Sequence, residues 1–248
     1  MANIIKILSV FALFCFSLLQ INCASAPVYR LQSEENSDEW YYGRKVITKE
    51  DNLASVKLTF EDASDGNYTF YLDVQNTSDQ KFTIDPSNIY LETYKPQKDQ
   101  EPLIISRIHA LDPEARILKI DKEINSANSS ENTRRGVSCF LSAVDLVGTV
   151  ATVGEKKSKE EVEEKNRERE NRQIADENAE NDYDKKLNDL NNKRDYWQND
   201  ALRKITISPD QKAGGFITIP IAANALFLRV VVEINSSKYF FNYKQETR

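Results

Sequence analysis

From residue 55 onward, apolar and polar positions alternate along much of the chain. In SVKLTF the apolar residues are Val56, Leu58 and Phe60, and in GNYTFYLDVQ they are Tyr68, Phe70, Leu72 and Val74. After a turn at Asn76 to Asp79 the alternation resumes at Phe82, Ile84, Ile89 and Leu91. A period of two, broken by clusters of Asn, Asp, Ser and Gly, predicts half-buried antiparallel strands. The same signal returns near the C-terminus. Ile205 and Ile207 precede a Pro209-Asp210 turn, Gly214-Gly215 leads into Ile217, Ile219 and Ile221, and Tyr239, Phe241 and Tyr243 follow a turn at Asn235 to Ser237. In LFLRVVVEI, Leu226, Leu228, Val230, Val232 and Ile234 share one face, with Phe227 and Val231 on the other. Apolar residues on both faces mark a central strand covered on both sides. Strands of this number and length suggest a β-sandwich.

Between the two groups of strands the period becomes helical. Asp112-Pro113-Glu114 is a helix start, with Asp as N-cap and Pro at the first helical position, and Ile117, Ile120, Ile124 and Ala127 follow at helical spacing. Asn128 to Gly136 is expected to break this helix. The next run, VSCFLSAVDLVGTVATVG, is short, holds Asp145 and two glycines, and reads as a helix packed on the domain and not as a membrane span. From Glu155 to Asp195 the chain is strongly charged. Ser158 and Glu161 form a capping box, and Tyr183, Leu187, Leu190 and Trp197 form a stripe that requires a partner. One long charged helix over 158–197, about 35–40 residues and roughly 55 Å long, is expected, its end docked and its beginning projecting. The helical insertion is also expected to cover Phe227 and Val231. The resulting division is 1–22 leader, 23–39 tether, 40–111 first part of the β-structure, 112–200 helical insertion and 201–248 second part.

The leader has its own pattern. A single cation, Lys6, precedes an apolar run from Ile7 to Leu19, which is secretory in length and shorter than the ~20 residues of a spanning helix. The stretch LLQINCAS follows. Leu19-Gln20-Ile21-Asn22-Cys23 resembles the relaxed lipoboxes of bacteroidete and spirochaete lipoproteins, departing from the stricter pattern at Asn22, where Gly or Ala is preferred. On this reading the leader is a lipoprotein signal peptide and Cys23 becomes an acylated N-terminus that holds the protein on a membrane, each buried CH₂ contributing about 0.8 kcal/mol. Ala24 and Ser25 after the cysteine point to the outer membrane by analogy with lipoprotein sorting. The competing reading is ordinary signal-peptide cleavage after Ala24 or Ala26. With Cys15 in the leader and Cys23 acylated, only Cys139 remains, so no internal disulfide is expected.

Composition narrows the function classes. A net charge of −6 argues against nucleic acid or anionic lipid headgroups as non-specific partners. The only histidine is His109; a nucleophilic arrangement would have to join it to a thiol such as Cys139, which sits in an apolar stretch where thiols are inert. One histidine, and methionine only at position 1, leave little to bind a soft metal. Asp62, Asp65 and Asp85 lie near strand ends, where they are candidates for a loop calcium site or for glycan contacts, against the plainer reading of turn residues. The sequons at Asn67, Asn76, Asn128 and Asn235 are incidental if the host is bacterial.

The segments FYLDVQNTSDQKFTIDPSNIYLE, DPEARI, the charged helix, and YWQNDALRKITISPDQKAGGFITIPI resemble a group of bacteroidete-type envelope lipoproteins with an immunoglobulin-like domain. The resemblance covers most of residues 40 to 245 and brings no activity. It implies a fold that is mainly β with an α insertion: an immunoglobulin-like antiparallel β-sandwich interrupted by helices. The expectation is a non-enzymatic, lipid-anchored envelope protein without cofactor or metal. It would meet the membrane through Cys23 and a protein partner or a second copy through helix 158–197. The alternative is an envelope glycan-binding or carbohydrate-active module using loop carboxylates.

Overall fold

A computed structural model of the chain describes residues 27–98, 100–151 and 159–247, with side chains except at 142–151 and 161. The leader, Cys23 and Ser158 lie outside the described residues. Eight strands come first: β1 (Tyr29–Ser33), β2 (Trp40–Tyr41), β3 (Arg44–Glu50), β4 (Ala54–Ser64), β5 (Asn67–Asn76), β6 (Phe82–Ile84), β7 (Ile89–Lys95) and β8 (Leu103–His109). Two long helices follow, α1 (Pro113–Ala151) and α2 (Lys159–Asp195), and then β9 (Ile205–Ile207), β10 (Lys212–Pro220), β11 (Phe227–Ile234) and β12 (Ser237–Thr247). The described chain is thus mainly β with a helical insertion. Its strands form three antiparallel sheets, ordered β1-β12-β11-β7-β8, β10-β5-β4-β3-β2 and β6-β9.

The predicted alternation becomes the core. Val56, Leu58, Tyr68, Phe70, Leu72 and Val74 from the second sheet, and Ile89, Leu91, Leu228, Val230, Val232 and Phe241 from the first, are all fully buried in one cluster. Each such Val, Leu, Ile or Phe contributes about 1.5–3 kcal/mol by leaving water. The two sheets therefore share one core through their facing sides. The β4–β5 hairpin turns at Asp65 (φ 50°) and Gly66 (φ 74°), a pair of left-handed residues that matches strand twist. Two expectations change here. The range 23–39, read as tether, contains β1, which pairs with β12 from Tyr29↔Thr247 to Ser33↔Tyr243. Leu226, assigned to the buried face of LFLRVVVEI, precedes β11 and is exposed.

The outer face of the first sheet also departs from expectation. Val231 is fully buried and lies in register between Tyr90 and Phe240. The Arg107 guanidinium sits 4.1 Å from the centre of the Tyr90 ring and that of Arg229 sits 4.4 Å from the centre of the Phe240 ring. These side chains supply the cover expected from the helices. Glu92 lies between the two arginines, accepting from Arg107 at 2.9 Å and from Arg229 at 2.7 Å.

α1 runs without interruption through Asn128–Gly136, where a break was expected. Three hydroxyls in that stretch, those of Ser129, Ser130 and Thr133, fold back onto carbonyls four residues earlier at 2.9 Å. Contacts to α2 then outweigh the weak local propensity. Gly136 faces open space and costs only about 1 kcal/mol relative to alanine. At the start of α1 the expected cap is present, since the Asp112 carboxylate accepts from the Glu114 N–H at 2.9 Å.

Candidate functional site

α1 and α2 form an antiparallel hairpin. Ion pairs Asp121–Arg194 (3.0 Å), Arg134–Asp176 (2.8 Å) and Arg135–Glu180 (3.0 Å) set its register, with a Tyr183-to-Asn128 hydrogen bond of 2.6 Å. Near the sheets the seam is apolar: Ile120, Ala127 and Leu190 are buried, with Ile117, Ile124 and Leu187 half-buried. The stripe Tyr183, Leu187 and Leu190 therefore finds its partner in α1. Farther out the seam turns polar. Glu131 accepts from both Arg134 and Arg135, and these hydrogen bonds hold its carboxyl well below the usual range, to about 2. Beyond this clamp, Val137, Phe140 and Leu141 of α1 are exposed, at 55 %, 68 % and 46 %. An apolar group on the outer part of an otherwise charged hairpin has no structural role in the sheets' core.

The hairpin meets the β-structure at the second sheet. After α2, a single π-type turn spans Tyr196–Asp200. The Tyr196 ring stacks on Phe216 of β10 at 6.1 Å and its hydroxyl lies 3.2 Å from that of Thr218. Arg203 pairs with Glu114 at 2.6 Å, and the Leu202 N–H donates to the Phe216 carbonyl at 2.8 Å. Gly215 permits that approach: a Cβ there would stand 2.8 Å from the Leu202 backbone. Gly214 similarly leaves room for Tyr71, whose hydroxyl would lie 2.9 Å from an added Cβ. Both glycines lie inside β10 and not before a strand.

This junction forms one side of a shallow, open cleft of about 420 Å³ on the outer face of the second sheet. Tyr196, Trp197 and Phe216 form one wall, Thr69 and Thr218 the floor, and Arg44, Glu61, Asp62 and Asp65 the far side. A register shift between Phe60 and Asp62 inserts Glu61 into β4 and swings it to Arg44, with which it pairs at 2.9 Å. The Ser64 hydroxyl donates to Asp62 at 3.0 Å. Burial pushes the Tyr196 phenol up, so the aromatic wall is uncharged at neutral pH.

Of the three aspartates read as candidates, Asp62 and Asp65 line this cleft and Asp85 does not. Asp85 caps the turn Pro86–Asn88, accepting from the Ser87 N–H at 3.0 Å, and pairs with Lys204 at 2.9 Å; the Lys204 hydrogen bond holds its carboxyl below the usual range. His109 ends β8 exposed, its Nδ1 3.1 Å from the Ser87 carbonyl oxygen. Cys139 is exposed on the outer part of α1, not sheltered as its apolar neighbours suggested. About 39 Å of helix lies between it and the end of α1 that His109 precedes, so the two form no catalytic pair. Among the described residues no group of three or more His, Cys, Asp or Glu side chains is placed to hold a metal ion, and no helix is long and apolar enough to cross a membrane. The Asn76 sequon is spent internally: the residue is fully buried, with its amide donating to Gln80 and Ile207 carbonyls. Trp197, expected to continue the helical stripe, instead lies in the π-type turn, where its ring meets that of Tyr196, which in turn stacks on Phe216 of β10. Comparison with protein-family models, with curated proteins and with solved structures found no match to this chain.

Proposed function

We propose that this is a non-enzymatic envelope lipoprotein of the bacteroidete type, held by acylated Cys23 on the outer membrane, whose helical hairpin docks a protein partner. The β-structure is read as an immunoglobulin-like sandwich; two five-stranded sheets with one shared core support that reading. The observation that carries the function is the exposed group Val137, Phe140 and Leu141 beyond the Glu131 clamp. Desolvating such a group stabilises a complex by about 25 cal/mol per Å² buried, and aromatic anchors dominate interfaces of this kind. A charged hairpin fixed at one end by Tyr196, Ala201 and Leu202 holds that group away from the sheets.

A photoreactive amino acid placed at Phe140 in the native cell is expected to cross-link one discrete protein, and the same probe at exposed Lys122 is not. Introducing Leu141→Glu should abolish the Phe140 adduct while changing stability by no more than about 0.5 kcal/mol, as exposed sites do. Equal cross-linking from both positions would remove the docking role; an adduct with a second copy would make it self-association. The anchor has its own test, fatty-acid labelling of the wild type and Cys23→Ala. Label in the wild type alone is expected. Absence of label from both would mean cleavage after Ala24 or Ala26 and a protein free of the membrane.

A further inference from the structure

The cleft at the base of the hairpin has two unlike walls. On one side, four rings form a chain of contacts: Trp197 with Tyr196 at 5.2 Å, Tyr196 with Phe216 at 6.1 Å, and Phe216 with Tyr71 at 5.2 Å. Opposite them are only polar groups, the Asp62 and Asp65 carboxylates, the Ser64 hydroxyl, the Asn67 amide and the Arg44–Glu61 pair. We infer that this cleft binds a saccharide unit of a neutral glycan chain, its C–H face against the Trp197 ring, which stands nearly perpendicular to Tyr196, and its hydroxyls against Asp62, Asp65 and Arg44.

The match is chemical. A pyranose ring has one apolar face of C–H groups and an edge of hydroxyls that both donate and accept. Aromatic side chains offer an apolar body to the former, and carboxylate, amide and guanidinium groups satisfy the latter as acceptor and donors. A volume of about 420 Å³ lies within the range of small-ligand sites. A proline-rich peptide also packs on aromatic side chains. It needs apolar grooves for successive prolines, whereas the side facing the rings is polar throughout. Three carboxylates against one guanidinium disfavour polyanionic chains. This inference does not depend on the docking role of the outer hairpin, since Phe140 and Trp197 lie at opposite parts of the helical insertion.

The test is calorimetric titration of the full chain with hexamers of β-1,4-linked glucose, β-1,4-linked N-acetylglucosamine and α-1,4-linked glucose, with a hexamer of galacturonic acid as the polyanion. At least one neutral or N-acetylated hexamer is expected to bind, and the polyanion more weakly. Trp197→Ala is expected to weaken that binding about tenfold or more, as loss of an aromatic anchor does. Asp62 is exposed, so Asp62→Asn keeps the fold even if Trp197→Ala does not, and is expected to weaken binding severalfold. Phe140→Glu should leave it unchanged. Failure of all three uncharged hexamers to bind, or binding indifferent to both cleft substitutions, would overturn the inference. So would tight binding of a cationic proline-rich peptide that Trp197→Ala abolishes, which would reassign the cleft to peptides.

Discussion

Replacing Glu92 by alanine is expected to lower the unfolding free energy by about 3 kcal/mol. The Glu92 side chain is only 4 % exposed and sits in register with Arg107 on one neighbouring strand and Arg229 on the other. Removing it leaves Arg229, itself 18 % exposed, without its carboxylate and beside a second cation. Breaking a buried ion pair by deleting one partner costs about 3–5 kcal/mol, and the 48 % exposure of Arg107 places this case at the lower end. The loss extends to packing, because the same guanidiniums cover Tyr90 and Phe240 and so bury Val231. The effect has a pH signature. Burial pushes the Glu92 carboxyl up, but hydrogen bonds from Arg229 and Arg107 and their charges outweigh it, leaving the pKa below the ordinary value. A carboxyl with a depressed folded-state pKa contributes stability above its unfolded value, about 4.3, and loses it as pH falls through the folded one. Urea unfolding of wild type and Glu92→Gln should therefore differ most at pH 7 and converge on acidification. A difference that stays constant from pH 7 to pH 2 would show that the carboxylate's charge is not what matters.

Asn76→Asp is expected to cost a similar amount, about 3 kcal/mol, and its penalty too grows as pH rises, here because a buried carboxyl is introduced and not removed. The wild-type amide is fully satisfied. Its nitrogen donates to the Gln80 carbonyl at 2.8 Å and the Ile207 carbonyl at 3.1 Å, and its oxygen accepts from the Ser78 N–H and hydroxyl at 2.9 and 2.8 Å. Aspartate replaces two donors by an acceptor facing two carbonyl oxygens in a fully buried site, which is the unsatisfied and charged case. The carboxyl there must have a folded-state pKa above its unfolded one, because burial and the carbonyl dipoles both oppose its charge. Its penalty is then smallest below the unfolded value and is complete once pH rises through the folded value. Unfolding measured at pH 3.5 and pH 7.5 should show the variant closest to wild type at the lower pH. A gap that widens on acidification would mean that the site admits water or that the loop has rearranged.

The strands were legible wherever one face is buried and the other is wet. Tyr68, Phe70, Leu72 and Val74 alternate with polar residues because a pleat places every second side chain on the core side. The strands the pattern missed lack that contrast. Leu103, Ile104 and Ile105 of β8 are all exposed at a sheet edge, and β1 has a single buried residue, Leu31. The continuity of α1 was hidden for a different reason: serine, asparagine and glycine are poor helix formers locally, and the cross-helix partners Asp176, Glu180 and Tyr183 of Arg134, Arg135 and Asn128 arrive on α2 from more than forty residues away.

By itself, the sequence determined the mainly β class, the presence of a charged helical insertion, the N-cap at Asp112 and the buried face of most strands, because each follows from local period and short-range chemistry. It also marked Trp197, Asp62 and Asp65 as unusual without relating them. Only tertiary structure decided that the helices pair with each other, that arginines cover the first sheet, and that Trp197 faces Asp62 and Asp65 across a cleft. The helix partners lie more than forty positions apart and Trp197 lies more than a hundred from Asp62 and Asp65, and these relations depend on strand register and on the close approach at Gly215, which no local pattern encodes.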